Sequence, residues 1–187
     1  MDHNRNIRVR AAAALASVSA SAVALMALTL AGCAVVDRSA PPAIAKSDNV
    51  AILPIANNTE TPQAGQRAAS IAQSLLASYG YTNLSRYPAS ADDETLFDAA
   101  KPDAQQNALN WARQQNARYA LSGAVNEWRY KVGVDGEPAV GLTFDVIDVQ
   151  TGKVVWTGTG SRTGWSRDAV SGVAQKLERD LLKPLAQ

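Results

Sequence analysis

Between Ala139 and Val149 the chain alternates: Val140, Leu142, Phe144 and Val146 fall on one side, Thr143 and Asp145 on the other. A period of two marks a strand with one face on a core. Such a strand needs partners along both edges and a cover over its apolar face. The partners lie next to it in sequence. Tyr119 to Val132 contains Val125, Trp128, Tyr130 and Val132, and Lys153 to Gly160 sets Val155 and Thr157 against Val154 and Trp156. Asp135-Gly136 and Thr151-Gly152 supply turns between the three, so they are predicted to pair antiparallel.

The cover comes from helices. Ala64, Ala68, Ile71, Leu75 and Tyr79 recur at helical spacing, after a Thr61-Pro62 start and before Gly80. Threonine can cap, proline suits the first helical position, and glycine can end the helix left-handed. Pro102 opens a second helix through about Asn116, with Ala108, Leu109, Trp111 and Ala112 as its buried stripe. A third follows the loop Ser161 to Trp165, with Ser166 as cap and Val170, Val173, Leu177 and Leu181 on one side, ending by Pro184. Asn49 to Ile55 is a short branched apolar run, predicted as a buried strand, and Tyr81 to Tyr87 is a shorter one. Ala89 to Lys101 shows no period; its Asp92-Asp93-Glu94 suits a solvated helix start. The order predicts an α/β fold: a small sandwich of helices packed on a mixed, largely antiparallel sheet.

The amino-terminal region obeys other rules. Arg5, Arg8 and Arg10 precede an uncharged run from Ala11 to Leu30, which closes on Leu30-Ala31-Gly32-Cys33 with the only cysteine of the chain. Basic start, apolar run and small residues are the marks of a secretory signal. The tetrapeptide resembles the lipobox of bacterial lipoproteins. That resemblance implies cleavage before Cys33, acylation of its sulfur and amine, and a mature protein anchored to a membrane. An uncleaved spanning helix is the alternative, since the run is about long enough. Ala34 in place of an aspartate implies the outer membrane, facing the periplasm. The expected organisation is a signal peptide at 1–32, a lipidated tether at 33–48 with Pro41-Pro42, and a periplasmic domain at 49–187.

Removing residues 1–32 takes away His3, the only histidine, and acylation takes the only thiol. Cys/His zinc sites and histidine-dependent nucleophilic sites are excluded. Gly158-Thr159-Gly160 lacks the Gly-Lys-Ser/Thr of a phosphate loop. The mature charge is near neutral, which gives no reason to expect nucleic acid. No metal, cofactor or catalytic residue is assigned, and the expectation is a binding or assembly protein.

Ala117-x-Tyr119-x-Leu121-x-Gly123, followed by Asp148-x-x-Thr151-Gly152, is similar to a broad periplasmic group that includes CsgG, LpoB and the TolB amino-terminal domain. Three longer strings narrow it: Thr59 to Gly65, Glu127 to Val140, and Ser161 to Arg167. These resemble the PelC lipoproteins of the Pel exopolysaccharide export system. The resemblance implies a dodecameric ring at the outer membrane and a partner barrel and scaffold, PelB. It also implies an acidic funnel that guides a cationic amino-sugar polymer of the biofilm matrix.

Two places are candidates for that work. Trp165 sits after Gly164 between Arg162 and Arg167. Tryptophan favours the membrane boundary and arginine meets lipid phosphates; the alternative is a tryptophan folded over the last helix as a lid. The resemblance also implies a membrane-facing tryptophan here. Asp135 and Glu137 flank a glycine turn. Multiplied around a ring they would form a steering field, whereas in one chain Asp-Gly is ordinary turn chemistry. Arg129 and Lys131, alternating with Trp128 and Tyr130, suit a subunit interface or an outer sheet face. Two other functions stay open. One is an LpoB-like activator of a peptidoglycan synthase, which would need a longer arm. The other is a carboxylate-based hydrolase, for which Asp145 and Asp148 cannot be assigned to a cleft.

Overall fold

The computed structural model describes residues 34–88, 102–133 and 136–186. Six strands form one sheet: β1 (Ala34–Arg38), β2 (Asn49–Asn57), β3 (Asn83–Arg86), β4 (Tyr119–Tyr130), β5 (Pro138–Asp148) and β6 (Val154–Thr163). Three helices pack on it: α1 (Ala64–Ser78), α2 (Pro102–Gln114) and α3 (Val170–Leu182), the last continued by a 3-10 turn at Lys183–Ala186. The strand order is β1-β6-β5-β4-β2-β3. β4, β5 and β6 are antiparallel neighbours, while β2 runs parallel to both β3 and β4. The sandwich of helices on a mixed sheet follows the sequence expectation.

Connection handedness explains the layers. The chain leaves β2 through α1 to reach β3 on one side, then returns through α2 to β4 on the other. Parallel crossovers are right-handed, so opposite directions put the two helices on opposite faces. The larger core gathers Val140, Leu142, Phe144 and Val146 of β5 against Ala68, Ala72 and Leu76 of α1 and Val173, Leu177 and Leu181 of α3. The smaller core joins Ala51 and Leu53 of β2 to Ala108 and Ala112 of α2. At its rim Trp111 meets Tyr87 edge to face at 5.3 Å, so Trp111 packs at a core as expected.

Several local expectations change. The stretch expected as a tether lies against the domain. Ala34–Arg38 pairs antiparallel with β6, Ile44 packs on the larger core, and the Lys46 ammonium donates to the Leu185 carbonyl at 2.6 Å. Five residues are too few for a period to show in sequence. Thr61 does not cap α1; its hydroxyl donates to the Trp128 carbonyl, and the helix begins at Ala64 after Gln63 at φ 58°. Ser166 does not cap α3, which begins at Val170. β6 runs on to Thr163, through part of the predicted loop. Gly80, at φ 93°, follows α1 as expected. A bulge between Val125 and Glu127 lets odd-numbered Val125 and even-numbered Trp128 both enter the larger core. Asp92, Asp93 and Glu94 lie outside the described residues.

Candidate functional site

Register places four chain segments at one end of the sheet. Ala34 of β1 faces Arg162 of β6, Thr163 faces Ala139 of β5, and Pro138 faces Tyr130 of β4. From this end β1 leads back towards Cys33, β6 runs into the Trp165 turn, and β4 exits towards β5. Trp165 and Glu137 therefore follow or precede neighbouring strands at the same end of the sheet.

The Trp165 turn is held by four hydrogen bonds. The Trp165 amide donates to the Asp168 carboxylate at 3.1 Å, and the Asp168 amide donates to the Trp165 carbonyl at 2.8 Å. Gly164 donates to the Pro138 carbonyl at 2.9 Å, and the Tyr130 hydroxyl donates to the Asp168 carbonyl at 3.3 Å. Gly164 has no room for a side chain. A Cβ there would stand 2.6 Å from Val173 Cγ2, 2.8 Å from Asp168 Oδ2 and 3.0 Å from Pro138 Cγ. The backbone is pinned and the indole is left outside: Trp165 is 57% exposed, which is not the arrangement of a lid over α3.

The two arginines divide. Arg167 is exposed beside Trp165. Arg162 is half-buried and drawn onto α3, where its guanidinium meets the Asp180 carboxylate at 3.2 Å. Expected as Trp165's second basic neighbour, it is committed to holding β6 to a helix. Glu137 is half-buried, and its carbonyl accepts from the Lys131 amide at 2.7 Å. Asp135 lies outside the described residues. Arg129 is exposed and paired with Glu127 at 2.9 Å. Tyr130 ends β4 and Val132 follows it, beyond the part of the strand that enters the larger core. They are 52% and 99% exposed.

An open cleft of about 1000 Å³ has Asp37, Glu60, Glu127, Asn126, Thr159 and Ser161 among its lining. Asn126 and Thr159, both in its lining, are joined through the Thr143 hydroxyl by hydrogen bonds of 3.1 and 3.0 Å. Asp145 lines a different cavity, about 360 Å³, beside α2. Asp148 does not line it: its Oδ1 accepts from the Thr151 amide at 2.8 Å and hydroxyl at 2.9 Å. Those bonds, first the amide and then the hydroxyl, hold its carboxyl below the usual range. The Asp-x-x-Thr-Gly string is thus a turn-building device. Among the described residues no three His, Cys, Asp or Glu side chains gather as metal ligands, and no helix is long and apolar enough to cross a membrane.

The family model described as peptidoglycan-synthase activator LpoB matches residues 35–161. The structure of the PelC dodecamer from Paraburkholderia phytofirmans is 49% identical, with a TM-score of 0.71, covering 82% of this chain and 98% of that one. A point variant of that protein, also described as a dodecamer, matches at the same identity and TM-score, over 82% of this chain and 99% of that one. The lipoprotein GNA1162 from Neisseria meningitidis shares the fold at 18% identity and a TM-score of 0.52, covering 74% of this chain and 98% of that one. No match was found among curated proteins. With more than half its length matched by the family model and nearly half its aligned residues identical to PelC, the chain belongs to the LpoB family and is a PelC-like protein within it.

Proposed function

We propose that this chain is a non-enzymatic outer-membrane lipoprotein, acylated at Cys33, whose copies close into a periplasmic ring. The ring guides a cationic exopolysaccharide, Pel, towards its export barrel, PelB. The observation that carries this is the 49% identity to a PelC dodecamer across 82% of the chain. A ring multiplies every surface charge by its copy number, so Asp135 and Glu137 become a belt of negative potential that concentrates a polycation. Trp165 and Arg167 supply a second contact with the membrane beside the lipid anchor. Arg162 fixes the strand that carries them.

A specific observation also favours the LpoB-like activator, namely the family-model match. The position of β1 weighs against it. The residue after Cys33 is already in the sheet, so acyl chains on Cys33 hold the domain at the bilayer. No arm is left to reach a synthase through the cell-wall layer. Deleting the gene and restoring it with a Cys33→Ser copy separates the two. Export guidance requires loss of secreted cationic polymer, whereas the activator predicts intact polymer and a defect in wall synthesis.

A further inference from the structure

Six large hydrophobic side chains stand exposed among the described residues: Val35, Tyr130, Val132, Val154, Val155 and Trp165. Four of them share the end of the sheet at which β1 begins. Trp165 and Val35 are 57% and 63% exposed, next to the 52% of Tyr130 and the 99% of Val132. Val154 and Val155 begin β6, at the opposite end. Isolated exposed apolar residues need no explanation, but a cluster on one end marks a contact surface.

We propose that the segment Tyr130–Val132, where β4 runs out, is a second membrane-docking element, entering a phospholipid surface alongside the Trp165 turn. This rests on the membrane contact proposed above for Trp165 and extends it to a different part of the chain. Three observations lead to lipid rather than to another protein surface. The first is adjacency to the anchor. β1 and β4 are three strand spacings apart in the sheet order, about 15 Å. Acyl chains on the residue before Ala34 bring this end, and no other, to the bilayer. The opposite end of β6 stands roughly 30 Å away. The second is a physical link. The Tyr130 hydroxyl donates to the Asp168 carbonyl at 3.3 Å, inside the turn that presents Trp165. The two elements therefore approach a surface as one unit. The third is chemistry. Lys131 and Arg167 are exposed here, whereas the acids Asp168 and Glu137 are half-buried and the Asp168 carboxylate accepts the Trp165 amide. Tyrosine and tryptophan at headgroup depth, an aliphatic tip and flanking cations form the composition of an interfacial contact.

Labelling tests this directly. Cys33 is the only cysteine, so in the acylated protein Val132→Cys introduces one reactive thiol. Ser166→Cys does so beside Trp165, and Val154→Cys at the far end. Each full-length protein is purified acylated, labelled with an environment-sensitive fluorophore and reconstituted into phosphatidylethanolamine–phosphatidylglycerol vesicles, with and without lipid-borne quencher. The expected result is a blue shift and severalfold stronger quenching at positions 132 and 166 than at 154. Quenching at 166 without quenching at 132 overturns the proposal for Tyr130–Val132 and leaves the Trp165 contact standing. A blue shift at 132 that lipid quencher does not touch means burial against a second copy of the chain, and also overturns it. No quenching at either position removes the Trp165 contact as well. Label entering the protein without any added thiol shows that Cys33 is free, and the premise fails.

Discussion

The Tyr130 hydroxyl and the Asp168 carbonyl, 3.3 Å apart, join the end of β4 to the turn that carries Trp165. Gly164 closes the same turn from the β5 side through the Pro138 carbonyl. An added methyl at Gly164 meets the branched Val173 side chain at 2.6 Å, where nothing flexible can yield. Gly164→Ala is expected to cost about 1–3 kcal/mol by overpacking and to release the turn. Tyr130→Phe removes only a net hydrogen bond, about 1 kcal/mol. Urea unfolding of both variants, followed by tryptophan fluorescence, checks the ranking; equal costs would mean that Gly164 is not under the constraint described.

Trp165→Ala deletes an exposed side chain, so stability should change by no more than about 0.5 kcal/mol. Association of the non-acylated domain with vesicles should fall severalfold. Co-sedimentation provides the measurement. Full binding with the indole gone would assign Trp165 another partner.

Glu178 is a buried acid on α3, 0% exposed, with neither carboxylate oxygen hydrogen-bonded. Burial pushes its pKa up from an ordinary 4.5 to about 9. The folded state therefore keeps the proton that the unfolded state releases. This raised value favours folding fully below about pH 4.5; the advantage is lost as pH rises towards about 9, by at most about 1.4 kcal/mol per unit. Glu178→Met should flatten that part of the stability–pH curve and raise stability at pH 8. A variant that keeps the wild-type slope would assign the slope to another group.

Removing the acids beside the β4–β5 turn should weaken polymer guidance. Glu137 belongs to neither core, so with Asp135→Asn and Glu137→Gln assembly should persist while secreted cationic polymer drops. Normal secretion by the double variant would return both residues to turn chemistry.

The legible parts of the fold were those in which one rule acts over many residues. The alternation at Val140–Val146 gave β5 its face, and Ala64 to Tyr79 gave α1 its stripe. The position of Gly123 shows how a motif becomes physics: a Cβ there would stand 2.1 Å from the Thr143 carbonyl oxygen, so the glycine of Leu-x-Gly is what lets β4 lie close on β5. β1 was hidden because its five residues take their structure from β6. The bulge after Val125 was hidden because an inserted residue shifts the period without changing composition. Tyr130 and Val132 keep the parity of Trp128 yet are exposed, because the chain there runs past the core, and where a core stops is not written in the alternation. The Trp165 loop was visible as an aromatic among arginines, but the capture of Arg162 by Asp180 depends on a helix packed 18 residues further along.

The central claim is that this domain works as a closed ring of copies. The mass of residues 34–187 in dilute solution, by light scattering behind gel filtration, tests it most directly. A single species with the mass of a large closed oligomer, twelve copies as in the PelC relative, is the result expected. A monomer that stays monomeric as concentration rises would contradict the ring and leave the acids of one chain too few to steer a polymer.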